Sequence, residues 1–182
     1  MSVASRRPLL IGVLLMACAA GRAPATVFYA RDEALKLAFP DADRVETRDV
    51  FLTGTQREAI EAQAKSKLDS DLLTIYVGHR GDQVIGSAIF DTHVVRTLPE
   101  TFLVVLTPQG TVAATHLLAF YEPPEYAPPD RWLAQFTGLA LNDELRVGRG
   151  IVGITGSTLT SEAVTGGIRR ALAIYNVLLK GS

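Results

Sequence analysis

The chain has almost no cysteine, little histidine and no excess charge of either sign. Cys18 is the single cysteine in 182 residues, so an intramolecular disulfide is excluded and the fold must rest on packing. The histidines, His79, His93 and His116, lie far apart, and no spacing of His, Asp, Glu or Cys matches a metal site. Lys and Arg number 18 against 19 Asp and Glu, and this balance lacks the basic field that nucleic acid requires. The dinucleotide glycine fingerprint, the phosphate-binding loop of nucleotide hydrolases and the serine elbow of hydrolases are all missing. So are internal repeats and low-complexity tracts. No candidate for a catalytic acid, base or nucleophile emerges.

The longest apolar run, Leu9 to Ala20, is shorter than the ~20 residues of a comfortable membrane span. It follows Arg6 and Arg7 and precedes Ala23-Pro24-Ala25, the layout of an export signal cleaved before Thr26. Leu15-Met16-Ala17-Cys18 also resembles a lipoprotein box, which makes Cys18 a candidate for lipidation. Residues 1–25 are therefore expected to be a signal peptide or a lipoprotein signal or anchor. Residues 26–182, in a chain that is 48% apolar, are expected to form one domain.

Residues 22–30 read as a tether. Asp32 to Phe39 is a predicted helix stopped by Pro40, and Thr55 to Leu68 a second, with Ile60, Ala64 and Leu68 on one face. The pattern then becomes that of strands: Leu72–Val77, Gln83–Val95, Thr101–Thr107 and Thr111–Tyr121. Short turns at 79–82 and 108–110 make their pairing antiparallel. Four prolines stiffen the crossing from Glu122 to Asp130, and a short helix around Trp132, Leu133 and Phe136 ends at Gly138. An exposed turn over 141–149 leads to a short strand, Ile151–Ile154, and a long amphipathic helix over Ser161–Leu179 closes the domain. Gly166 and Gly167 in that helix each cost roughly 1 kcal/mol relative to alanine, which close packing against the sheet would explain. The layout is α+β, an antiparallel twisted sheet of four to five strands with helices packed on it.

Thr155-Gly156-Ser157-Thr158-Leu159-Thr160-Ser161 stands out in front of the last helix. Gly156 can adopt a positive φ and leaves room for a close approach. Thr160 or Ser161 is best placed to cap the helix. The remaining hydroxyls have two readings, an over-decorated cap or a phosphate cradle at a helix N-terminus, where free amides and the helix dipole favour an anion.

Thr155 to Val164 resembles the flavinylation motif of the FMN-binding domain family, whose typical form is Asp, two residues, Ser/Thr-Gly-Ala-Thr, any residue, Thr-Ser. The family includes the covalent-FMN subunits of the sodium-pumping NADH:quinone oxidoreductase and of the Rnf electron-transport complex. Glu122-Pro123-Pro124 and Trp132-Leu133-Ala134-Gln135-Phe136-Thr137-Gly138 also look like the family, and the resemblance spans about residues 70–180. Ser157 stands where alanine is usual, and Val152 where the aspartate is usual.

The resemblance implies FMN joined through its phosphate to Thr158 by a flavin transferase, with non-covalent FMN as the alternative. It implies that Thr155, Gly156, Ser157, Thr160, Ser161 and Glu122 surround the cofactor. Glu122 otherwise reads as a surface carboxylate. Tyr121 and Trp132 read either as ring-stacking residues or as core, Phe136 as core and His79 as solvated. Arg96 is a cation in want of an anion. The function implied is an exported, periplasmic or membrane-anchored electron carrier serving a membrane redox partner. Alternatives on the same fold are an FMN-binding regulatory or sensing module and a flavin-free structural lipoprotein.

Overall fold

A computed structural model describes residues 26–181 of the chain; the predicted export signal and Cys18 lie outside the described residues. The elements are β1 (Thr26–Val27), α1 (Arg31–Ala38), β2 (Arg44–Phe51), α2 (Gly54–Ala64), β3 (Leu72–Arg80), β4 (Gln83–Val94), β5 (Pro99–Leu106), β6 (Val112–Phe120), α3 (Asp130–Leu133) and α4 (Thr158–Ile174). A π-helical turn, Tyr175–Leu179, extends α4. The strands form one antiparallel sheet in the order β1-β6-β5-β4-β3-β2, and β2 to β6 run as a meander.

Side chains alternate across a strand, so each strand serves two cores. Ile75, Val77, Ile89, Phe102, Val104 and Leu106 face α2 and α4, where they meet Ile60, Val164, Ile168 and Leu172. Tyr76, Ala88, Leu103 and Val105 point the other way and are covered by Ala34 and Phe39. The Phe39 ring lies against bare backbone at Gly78, where a Cβ would come within 2.5 Å of it.

Five expectations require correction, the last of them the end of α2. The tether contains β1, which pairs with β6. Residues 44–51 form a strand that hydropathy hid, because Arg-Val-Glu-Thr-Arg-Asp-Val-Phe buries no face completely. As the sheet edge it carries charges, Arg44, Glu46, Arg48 and Asp49, which discourage pairing with another chain. The expected strand Ile151–Ile154 is a single bridge between Ile151 and Val147. His79, expected in water, is 7% exposed, and its Nε2 lies 3.0 Å from Glu46 Oε2 on β2.

Helix α2 ends at Ala64 rather than Leu68, with Lys65 in the left-handed region. The buried Arg169 of α4 explains the stop. Its guanidinium donates to the carbonyls of Ala64 (2.8 Å), Gln63 (3.0 Å), Asn142 (2.7 Å) and Leu145 (3.1 Å). One side chain thereby satisfies the end of α2 and fastens the 142–145 loop to α4.

Candidate functional site

The segment before α4 is held rigidly from two sides. Gln135 accepts from Val152 N at 2.9 Å and donates to Val152 O at 3.3 Å, while Trp132 Nε1 donates to the same carbonyl at 2.5 Å. Trp132 is thus a buried core residue that also anchors this strand-like stretch, with its ring edge-on to the buried Phe136. Gly156 then turns the chain with φ +81°, as expected, where a side chain would be strained.

Helix α4 starts three residues earlier than expected, and its cap is Ser157 rather than Thr160 or Ser161. Ser161 is fully buried and works on the backbone: Oγ accepts from Ile154 N at 2.9 Å and donates to Ser157 O at 3.0 Å. Its hydroxyl braces the turn and is not offered to a ligand. Thr155 is exposed on the turn, outside the wall of the cavity described next.

That cavity, about 210 Å³ and open to solvent, is walled by the start of α4, the β4–β5 loop and the segment after β6. Thr158, the first residue of α4, sits exposed in it between Ser157 and Thr160. The first helical hydrogen bond runs from Ser161 N to Ser157 O at 3.0 Å. The amides of Thr158, Leu159 and Thr160 therefore have no partner among the described residues. Ser157 and Thr160 are largely buried as residues, but their hydroxyls, which have no hydrogen-bond partner among the described residues, open onto the cavity; the fully buried unpartnered side-chain atoms are Ser87 Oγ, Thr115 Oγ1 and Glu100 Oε2. Ser157 and Thr160 face a cavity at a helix N-terminus, which is where an anionic group would supply acceptors.

Arg96, unplaced by sequence, is in the opposite wall. Its guanidinium carbon lies 5.6 Å from the centre of the Tyr126 ring, which lines the same cavity. Glu122 also lines it, but one oxygen is engaged: Oε1 accepts from Thr97 N and Leu98 N, both at 3.1 Å. Those amides, first, and the nearby Arg96 hold its carboxyl below the usual range. Glu122 thus fixes the loop that presents Arg96. Tyr121 is half-buried beside this segment and is not in the cavity wall.

Below the cavity lies a set of charges that sequence reasoning had left as scattered residues. His93 Nδ1 is 2.6 Å from Asp91 Oδ1 and its Nε2 is 2.6 Å from Glu100 Oε1. Arg170 of α4 clasps Asp91 through Nε (2.8 Å) and Nη2 (2.7 Å). Burial works against the His93 charge, but the carboxylates on either side prevail and raise its pKa to about 9. Gly167 is what lets α4 approach so closely, since a Cβ there would lie 2.7 Å from Asp91 Oδ1.

These features define an α+β domain with an open cavity, lined by hydroxyls, free amides and Arg96, at the N-terminus of its last helix. The chain is 29% identical over 168 residues to a component of the Na(+)-translocating ferredoxin:NAD(+) oxidoreductase complex of Acetobacterium woodii, covering 83% of this chain and 74% of that protein. Its fold matches the crystal structure of Shewanella oneidensis NqrC with a TM-score of 0.55 and 12% identity, over 81% of this chain and 88% of that one. No family model matches the chain. The chain is a homologue of the Acetobacterium protein and shares the NqrC fold, in keeping with the family resemblance carried by Thr155 to Val164. Among the described residues no helix is long and apolar enough to cross a membrane.

Proposed function

We propose that this chain is an FMN-binding subunit of a membrane electron-transport complex, exported and held at the membrane by its N-terminal segment. Similarity to a component of a ferredoxin:NAD(+) oxidoreductase complex supports the electron-transport role. The observation that carries the cofactor assignment is one cavity in which the exposed Thr158, the unpartnered hydroxyls of Ser157 and Thr160 and the free amides of the first turn of α4 meet Arg96.

In this reading Thr158 bears the FMN phosphate as an ester formed by a flavin transferase. Ser157, Thr160 and the free amides of the first turn receive the phosphate oxygens, and Arg96 balances their charge. FMN supplies one- and two-electron chemistry when bound. The protein's tasks are to hold it, orient it and fix the charge around it. The cavity is smaller than the 300–1,000 Å³ typical of sites that engulf a ligand. It suits the phosphate end, leaving the ring accessible to a redox partner.

Val152, where the family motif has aspartate, favours a second reading in which FMN is held in the same cradle without an ester. Co-expression with a flavin transferase and an export signal, followed by a denaturing gel, separates the two. Flavin fluorescence that stays with the polypeptide and vanishes in Thr158→Val is the expected result. Fluorescence retained in Thr158→Val refutes the attachment site. Flavin lost from the wild type on denaturation leaves the non-covalent cradle, and a protein colourless before denaturation refutes FMN binding altogether.

A further inference from the structure

Glu100 is the one charged side chain with no exposure at all among the described residues, and its Oε2 has no hydrogen-bond partner there. An ionised oxygen left bare in this way is costly, so the atom invites a proton. Its other oxygen, Oε1, faces His93 Nε2, and the far nitrogen of His93 faces Asp91. An imidazole with a carboxylate at each nitrogen is held as a double donor, hence as a cation. The other charge on this cluster from the helix side is Arg170, engaged with Asp91 and with Ser66 Oγ at 2.8 Å, its Nη2 also lying 3.4 Å from His93 Nδ1. With Glu100 ionised, Asp91, His93, Glu100 and Arg170 sum to zero. With Glu100 protonated they sum to one positive charge.

Two backbone routes join this cluster to the cavity. His93 lies two residues before Val95, which follows the end of β4 and lines the cavity. Glu100 is two residues past Leu98, whose amide Glu122 holds, and Glu100 pairs across the sheet with Phe120, two residues before Glu122. Burial first, and the charges of Asp91 and Glu122 after it, push Glu100 upward against the opposing pull of His93.

We infer that Glu100 is a proton-accepting site coupled to the anion in the cavity: when negative charge enters beside Thr158, one proton passes from solvent to Glu100 Oε2, and the cluster below gains a compensating positive charge. The step forms one O–H bond at Glu100 and takes the proton from a buffer acid; no electron moves. It rests on the cavity being an anion site, as under the proposed function, and it makes the charge of the bound group pH-dependent through a residue that does not touch it.

The test is calorimetric titration of the purified wild-type protein with FMN, and separately with inorganic phosphate, in buffers of different ionisation enthalpy. FMN is titrated at pH 8, well above the second ionisation of its phosphate (about 6), so that the ligand itself releases little. The expected result is net proton uptake on FMN binding in the wild type, and its loss in Glu100→Gln with FMN still bound. Infrared difference spectra should show a protonated-carboxyl band appearing with ligand and missing in the variant. FMN binding with no proton uptake in the wild type overturns the inference while leaving the cavity assignment intact, and needs no variant to fold. Equal uptake in Glu100→Gln also overturns it. If neither FMN nor phosphate binds, this inference falls, and the covalent reading of the cavity is then decided separately by the denaturing gel after co-expression with a flavin transferase.

Discussion

Gly166 and Gly167 are adjacent in one helix, yet substitution by alanine should move stability in opposite directions. Alanine is the better helix former by about 0.8–1.0 kcal/mol at an interior position. At Gly166 a new Cβ would meet only Arg170 Nη1, at 3.7 Å, an ordinary contact. Gly166→Ala should therefore stabilise by about 0.5–1 kcal/mol. At Gly167 the Cβ would lie 2.7 Å from Asp91 Oδ1 and 3.0 Å from its Cγ. A long flexible side chain would swing aside, but Asp91 is short and its two oxygens are held by Arg170 and His93. Either α4 retreats from the sheet or this bonding is broken.

Overpacking of that kind costs about 1–3 kcal/mol, and loosening a buried ion pair costs more. Set against the helix gain, Gly167→Ala should destabilise by about 1–3 kcal/mol. Urea unfolding of both variants beside the wild type measures the difference, and thermal midpoints should separate by about 2–4 °C for each kcal/mol. If Gly167→Ala is as stable as Gly166→Ala, helix α4 does not press on Asp91, and the buried charge cluster is not as described.

Arg169→Met keeps the stem but removes four hydrogen bonds to the carbonyls of residues 63, 64, 142 and 145, and should cost about 3 kcal/mol in urea unfolding. Because the folded pKa of His93, about 9, lies above its ordinary 6.5, the stability it contributes is complete below pH 6.5 and is lost as pH rises through 9. Unfolding free energies at pH 6.5 and 9.5 should differ accordingly, by at most roughly 3 kcal/mol from this group, and the fall should flatten in His93→Gln. Val152 is 74% exposed and held only through its backbone, so Val152→Asp should change stability by less than about 0.5 kcal/mol. If the non-covalent reading holds for the wild type, the same change should raise the flavin-labelled fraction on a denaturing gel; no increase would show that residue 152 does not limit attachment.

The elements legible in the sequence were those whose apolar residues face one way. Strands β3 to β6 carry dense β-branched runs between clear turns, and α4 has an unbroken stripe from Val164 to Leu172. The edge strand β2 escaped because an edge is selected for charge rather than burial: Asp49 meets Thr74 Oγ1 at 2.6 Å, and Glu46 meets His79. The same pairing explains the wrong environment for His79, which read as a turn residue only because its partner strand was invisible. The early end of α2 depended on Arg169, 105 residues away from Ala64, and no local signal announces such a contact.

The site divides in the same way. Thr158 and Gly156 could be read from one contiguous motif, since a hydroxyl-rich turn before a helix has a local physical meaning. The roles inside that motif could not be. Ser161 and Thr160 are neighbours of like chemistry, but the start of α4 at Thr158 rotates Ser161 inward to Ile154 and leaves Thr160 on the cavity. Three residues of shift in a helix start therefore decide which hydroxyls remain for a ligand. Arg96 depends on a longer chain of causes: Glu122 must leave β6 at the position that captures Thr97 and Leu98, and the loop so fixed carries Arg96 to the wall opposite Thr158. In sequence Glu122 looked like a residue for the cofactor. In the fold it holds the loop that carries Arg96, so under the proposed function its effect on the cofactor would be chiefly indirect, through that cation.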